Sequence, residues 1–228
     1  MKYALIGKGR TGGELKNFLA KDNFIIFDSS NPVTPDAIRD CSVAIAFVPG
    51  DVLIDIIPIL LEANIPLVSG STGMTWPADL RKSLEEKNLR WISGSNFSLG
   101  MRVVHQMIKK LEKANQIFNN YEYRIHEIHH TQKLDAPSGT AKSWNSWIKN
   151  QATITHERKD DVVGDHKITL YTDFENISIH HQALDRKIFA KGAIWAAEYL
   201  IDKYDQLPPG LHLFEEITEK LLEEKENK

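Results

Sequence analysis

Fifteen residues, Glu127-Ile-His-His-Thr-Gln-Lys-Leu-Asp-Ala-Pro-Ser-Gly-Thr-Ala141, gather two imidazoles, one ammonium and two carboxylates. His129 and His130 suit proton transfer, because imidazole titrates near neutrality. Lys133 adds a cation a few residues on. Pro137 biases Ala136 away from helical geometry. Ser138-Gly139-Thr140 can then open a helix whose first N–H groups lack intrahelical acceptors. Cations and free amides on one loop suit a small dianionic ligand, with a proton donor beside it.

A second constellation lies at the N-terminus. Gly7-Lys8-Gly9-Arg10-Thr11-Gly12 matches the Gly-x-Gly-x-x-Gly dinucleotide fingerprint. The first glycine permits a tight turn, the second admits a pyrophosphate to the backbone, and the third lets helix and strand pack closely. Asp28 follows sixteen positions after Gly12, where an acid can hold ribose hydroxyls. It favours the 2′-hydroxyl of NAD and repels the 2′-phosphate of NADP, so NADH is the expected preference. Lys8 and Arg10 leave NADPH use open. Two later loops, Gly70-Ser71-Thr72-Gly73 and Gly94-Ser95-Asn96-Phe97-Ser98, end strands on the same carboxyl edge, where open α/β sheets collect ligands. Their small residues, hydroxyls, amide and ring are candidates for nicotinamide contacts.

These loops need elements to hold them. Tyr3–Ile6, Phe24–Phe27, Val43–Val48, Pro66–Ser69 and Leu89–Ile92 read as apolar strands. Between them, Thr11–Ala20, Asp51–Ala63 and Pro77–Glu86 read as helices. Continuous apolar strands alternating with helices predict a doubly wound parallel sheet covered on both faces. After Asn96 the pattern changes. A helix over Leu99–Ala114 leads to an alternating strand, Tyr121–His130, then a helix over Thr140–Lys149. Two polar-alternating strands, His166–Thr172 and Ile177–Gln182, predict an antiparallel, half-solvated pair. Lys191–Lys203 and the tail from Leu207 read as helical, and Glu223–Lys228 as a frayed end. The expected division is 1–101 as a dinucleotide-binding domain, 102–185 as an α+β domain, and 186–228 as helices returning to the first.

The chain has 228 residues, a net charge of −3 and a hydrophobic fraction of 42%. Such a balance carries no nucleic-acid footprint. No apolar run approaches the roughly 20 residues of a membrane span, and the start lacks a secretory signal. The single cysteine, Cys41, fits a reducing cytoplasm. No internal repeat stands out.

The run His129-His130-x-x-Lys133-x-Asp135-Ala-Pro-Ser-Gly-Thr-Ala141 resembles the dihydrodipicolinate (4-hydroxy-tetrahydrodipicolinate) reductase family of the diaminopimelate route to lysine. Gly7–Gly12, Gly70–Gly73, Asn96–Ser98, Arg186–Ala190 and Gly192-Ala193 extend the resemblance over nearly the whole chain. It implies an α/β fold: a Rossmann-type doubly wound parallel sheet plus a smaller α+β substrate and oligomerisation domain that builds a homotetramer. It also implies that His129 is the general acid and Lys133 a second proton-handling group. His130, Lys133, Gly139 and Thr140 would hold the carboxylates of a small dicarboxylate substrate. Gly7, Lys8, Gly9, Arg10, Thr11, Gly12, Asp28, Phe47, Gly70, Ser71, Thr72, Ser95, Asn96 and Phe97 would serve NADH or NADPH. Departures from the family pattern fall on the cofactor side, at Thr11, Ala46–Pro49, Ser71 and Gly94-Ser95. The substrate loop is unaltered.

Other readings are weaker. A metal cluster of His129, His130 and Asp135 lacks close-spaced Cys partners and has Lys133 beside it, so no metal is expected. His180-His181 reads as structural or interfacial, His105 as a packed or surface residue, and Trp144, Trp147 and Trp195 as core or subunit contacts. Glu215–Glu226 reads as a solvated helix face. A different nicotinamide oxidoreductase of the same architecture, or a silent nucleotide sensor, is the competing function. A sensor has no need of the proton donor at His129.

Overall fold

A computed structural model describes residues 1–149 and 151–223. Residues 224–228, within the charged end expected to fray, lie outside the described residues. The chain forms two compact units, one from Met1–Ser98 with the chain from Lys187 onward, the other from Leu99–Arg186.

The first unit begins with β1 (Tyr3–Ile6), α1 (Gly12–Leu15), β2 (Phe24–Phe27), α2 (Pro35–Ile38), β3 (Val43–Ala46), α3 (Gly50–Glu62), β4 (Leu67–Ser69), α4 (Leu80–Glu86) and β5 (Arg90–Ser93). The second comprises α5 (Leu99–Glu112), β6 (Tyr121–His129), α6 (Gly139–Trp147), β7 (Ala152–Arg158), β8 (Gly164–Thr172) and β9 (Asn176–Ala183). The chain then returns to the first unit as α7 (Lys187–Asp202), β10 (Gly210–Leu213) and α8 (Phe214–Glu223).

β1 and β3 are buried at every position, as strands covered on both faces must be. All six strands of the first sheet are parallel, in the order β10-β5-β4-β3-β1-β2. On one face, Ala4, Ile6, Ala44, Ala46, Leu67 and Trp91 pack against Leu53, Ile57 and Leu60 of α3 and Leu80 and Leu84 of α4. On the other, α7 lies on β3, β4 and β5 with its small residues Ala190, Gly192, Ala193 and Ala197 buried. A Cβ at Gly192 would overlap the Phe97 carbonyl oxygen, so only glycine permits this approach.

The second unit carries a mixed sheet in the order β7-β6-β8-β9. β8 runs antiparallel to β6 and β9, whereas β7 is parallel to β6. Tyr123, Ile125, Ile168 and Leu170 form one core with Met101, Val104 and Ile108 of α5 and Ala141 and Trp144 of α6. Among the described residues no helix is long and apolar enough to cross a membrane.

Four elements differ from expectation, the first being the short α2 over Pro35–Ile38, where no helix was expected. The helix expected over Thr11–Ala20 is a four-residue turn followed by 3₁₀ geometry at Lys16–Phe18, because adjacent Gly12 and Gly13 weaken helical propensity at its start. β7 was unread, since Thr153, Thr155 and His156 mask the alternation and pairing with β6 decides its conformation. The tail from Leu207 is not helical throughout. Pro208 and Pro209 impose an extended approach, and Gly210–Leu213 completes the first sheet beside β5 before α8 begins.

Candidate functional site

In the first unit the candidate nucleotide loops leave β1, β3, β4 and β5 from one edge. The strand order switches direction between β1 and β3, where open α/β sheets bind ligands. Gly7 adopts φ +97°, and its missing side chain makes room for the Phe47 backbone. A Cβ on Gly12 would overlap the Gly7 carbonyl, so the loop closes tightly on itself. Nothing lies within 4 Å of the Cβ position of Gly9, and Lys8, Gly9 and Arg10 are exposed. That open backbone fits a pyrophosphate, held by loop amides rather than by the dipole of a long helix.

Asp28 directly follows β2. Its Oδ1 accepts from the Ser30 amide at 2.7 Å, the Ser30 hydroxyl at 2.6 Å and the Asn31 amide at 3.1 Å. Lys8 Nζ sits 2.9 Å from Oδ2. The Ser30 bonds and Lys8 hold this carboxylate well below its usual range. Its Oδ1 is therefore engaged by the chain itself, while Oδ2 faces the exposed Lys8.

Three expected cofactor residues have other neighbours. Ser71 is buried, and its hydroxyl accepts from the Val48 amide at 3.3 Å, bracing β3 to β4. Phe97 is only 1% exposed. Its ring packs on Phe214 at 4.7 Å and edge-on to Phe47 at 6.0 Å, so it shapes the loop and offers no open face, contrary to expectation. Asn96 Oδ1 accepts from the Ser98 amide at 2.9 Å. Thr11 and Gly70 are half-buried, while Thr72 and Ser95 are exposed on the strand-end loops.

In the second unit the alternation of β6 turns Tyr123, Ile125, Glu127 and His129 inward. The inward row thus changes from apolar to ionisable over its last two members. Register places His166 of β8 opposite Glu127, and Arg158 of β7 opposite His129. Glu127 is fully buried. Its Oε1 accepts the Ser138 amide at 2.9 Å and lies 3.7 Å from the Arg158 guanidinium. Its Oε2 lies 3.6 Å from His166 Nε2 and 3.7 Å from His129 Nδ1. Burial pushes the Glu127 carboxyl up, but His166, the Ser138 bonds and His129 outweigh it and leave its pKa at about 2. Burial, helped by His166, Lys133 and Arg158, pulls His129 down to about 4 against the pull of Glu127. The free protein therefore holds an ionised Glu127 beside a neutral His129.

The segment after β6 carries the remaining cations. Arg158 donates to the Lys133 carbonyl at 3.2 Å and the Asp135 carbonyl at 2.6 Å, clamping the loop to β7. Lys133 Nζ rests 2.7 Å from Asp135 Oδ1. His130 Nε2 lies 3.2 Å from Arg186 Nη2. Ser138 caps α6 by accepting from the Ala141 amide at 3.1 Å. Gly139 and Thr140 occupy the first turn, and nothing lies within 4 Å of the Gly139 Cβ position. Their backbone N–H groups precede the first intrahelical bond, as a helix start leaves them. The end of β6, the segment after it and the neighbouring Arg158 and Arg186 thus bring together two imidazoles, an ammonium, two guanidinia and a helix start.

Glu127, His129 and His166 also place three ligand-type atoms within 4.8 Å of one another. His130 and Asp135, the partners weighed from the sequence, are not in that group. Arg158 stands beside the carboxylate, and the Ser138 hydroxyl lies 3.3 Å from His166 Nε2. These neighbours suit a network of protons better than a cation.

The family model described as dihydrodipicolinate reductase, C-terminus, matches residues 100–214. A 4-hydroxy-tetrahydrodipicolinate reductase of Christiangramia forsetii is 34% identical over 89% of this chain and 93% of its own length. The chain belongs to the dihydrodipicolinate reductase family. Another member, from Methanopyrus kandleri, is 30% identical over 93% of this chain and 79% of its own. The dipicolinate-bound dihydrodipicolinate reductase of Paenisporosarcina sp. TG-14 shares the fold, with TM-score 0.74, 19% identity and coverage of 95% and 99%.

Within this family frame, sequence reasoning left Glu127, His166, Arg158 and Arg186 without roles. Two carried a usable signal. Glu127 is in phase with Tyr123 and Ile125, and His166 with Ile168 and Leu170, so period-2 counting puts both inside. Arg158 carried none, because its strand was unread. The contact between Arg186 and His130 spans 56 positions and depends on tertiary structure.

Proposed function

We propose that this chain reduces 4-hydroxy-tetrahydrodipicolinate to tetrahydrodipicolinate with NADH or NADPH, in the diaminopimelate route to lysine. The observation that carries the reading is the buried His129 at the end of β6, next to the loop of cations and the free start of α6. His130, Lys133, Gly139 and Thr140 hold the two carboxylates, with Arg186 supporting His130. The Gly7–Gly12 loop holds the pyrophosphate and Asp28 the adenosine ribose. When bound, the reduced nicotinamide supplies the hydride.

The electrostatics support one order of events. In the free protein His129 is neutral. A dianionic substrate offsets the field of Lys133 and Arg158, so the imidazole gains a proton as the substrate seats. His129 then delivers that proton as hydride arrives. The C–O bond to the hydroxyl breaks and its oxygen leaves as water, one hydride and one proton enter, and the carbon that bore the hydroxyl ends as a methylene.

The test is oxidation of NADH and NADPH in the presence of the condensation product of pyruvate and aspartate semialdehyde. Turnover with that product is expected. His129→Ala should lower kcat by about 10²–10⁴-fold, the usual worth of a general acid, while the Kd for NADH stays unchanged. No turnover by the parent protein would favour an oxidoreductase acting on another precursor. The assembly proposed with this activity is a cytoplasmic homotetramer.

A further inference from the structure

Two buried atoms of the second unit face each other without partners. Glu127 Oε2 and His129 Nδ1 are both inaccessible, and neither has a hydrogen-bond partner among the described residues. They are 3.7 Å apart, too far for a hydrogen bond and too near for a water between them. Everything else about Glu127 is anchored. Its other oxygen takes the Ser138 amide and faces Arg158, and His166, directly across the ladder, holds its Nε2 3.6 Å from Oε2. His166 is itself wedged edge-on to His129 at 4.8 Å and against Trp144 at 5.6 Å. The opposite edge of the His129 ring, Nε2, passes the bare backbone of Gly164, whose Cβ position is 3.4 Å away.

We propose that Glu127 is the positioning residue for His129: its Oε2 accepts the Nδ1 proton, so Nε2 is the nitrogen that gains and delivers the transferred proton. This rests on the reading of His129 as general acid. A carboxylate fixed behind an imidazole sets its tautomer and orientation and stabilises its charged form. Here the carboxylate stays in place while the ring closes on it. Hydrogen bonds of this kind are often long in the free protein and tighten in the complex. In the transfer, the Nε2–H bond breaks and the proton goes to the substrate. His129 is left neutral with its proton on Nδ1, bonded to Glu127.

Glu127→Gln tests the assignment, because it keeps the volume and the acceptor for the Ser138 amide but removes the charge. The expected result is a kcat lower by about 100-fold or more, with KM and the Kd for NADH changed by less than about threefold. Glu127→Asp, still an anion, should recover part of the loss. A Glu127→Gln kcat within about threefold of the parent overturns the positioning role. If His129→Ala is severe at the same time, the general-acid reading survives alone. If His129→Ala is also silent, that reading falls with it. Should the Gln variant fail to fold, nitrogen-15 imidazole spectra of the unaltered protein decide. An Nδ1–H tautomer at His129 supports the proposal, and an Nε2–H tautomer overturns it. A stoichiometric divalent metal in the purified protein, whose removal by EDTA abolishes turnover, also overturns it by making Glu127 a ligand.

Discussion

His129 is neutral in the free protein because burial and neighbouring cations lower its proton affinity to about 4. On the proposed loading by a dianion, His129 takes up a proton from solvent, which a binding experiment can read. Pyridine-2,6-dicarboxylate, titrated calorimetrically near pH 6.5 in buffers of different ionisation enthalpy, should show uptake approaching one proton per site. An enthalpy independent of buffer would sink the loading step. The same shift governs stability. Because folding lowers the affinity of His129, the unfolded chain binds its proton first. Stability falls as the pH drops from 6.5 toward 4, and Glu127 extends the loss from 4.5 toward 2. Urea midpoints at stepped pH check this, and His129→Gln should flatten the upper limb. On the cofactor side, Lys8 paired with Asp28 is the cation placed to meet a 2′-phosphate. Lys8→Ala should lower kcat/KM for NADPH severalfold more than for NADH.

At the scale of elements, α6 depends on one cap. Ser138→Ala removes the hydroxyl that accepts the Ala141 amide, at a cost of about 1 kcal/mol. Its backbone N–H to Glu127 remains, so the loss should appear in thermal stability more than in kcat. Gly192→Ala is harsher. A methyl there overlaps the Phe97 backbone, so strong destabilisation is expected, visible as a Tm drop of many degrees or loss of soluble protein. Legibility differs between these elements for physical reasons. The apolar runs of β1 and β3 and the alternation of β6 follow burial, so the sequence displays them. β7 and β10 are edge strands whose conformation comes from pairing with β6 and β5. His129 and Lys133 were legible because they sit in one loop. Glu127, His166 and Arg158 meet only across strands, and linear spacing hides such contacts.

At the scale of the whole molecule, two kinds of patterning build two kinds of sheet: continuous apolar runs the parallel one, alternation the mixed one. In the mixed sheet, β9 leaves an unpaired edge with most of its residues exposed, and Phe174 before it is wholly exposed. A homotetramer of the kind proposed, built through this sheet, would cover that edge. A homotetramer should sediment at about four times the chain's 26.0 kDa. Its Tm should rise with protein concentration, as mass action requires. A monomer at micromolar concentration would refute that assembly.

The register of the mixed sheet separates two tasks. The proposed proton donor and its proposed positioning carboxylate are pinned at ladder positions, Glu127 across from His166 and His129 across from Arg158. The groups assigned to the substrate's carboxylates lie beyond the ladder, His130 immediately after it and the others between Lys133 and Thr140. Exchanging residues in that segment other than Lys133 can retune which diacid is accepted while the acid–base chemistry stays intact. The sheet is thus a chassis for engineering, and the loop is its interchangeable part.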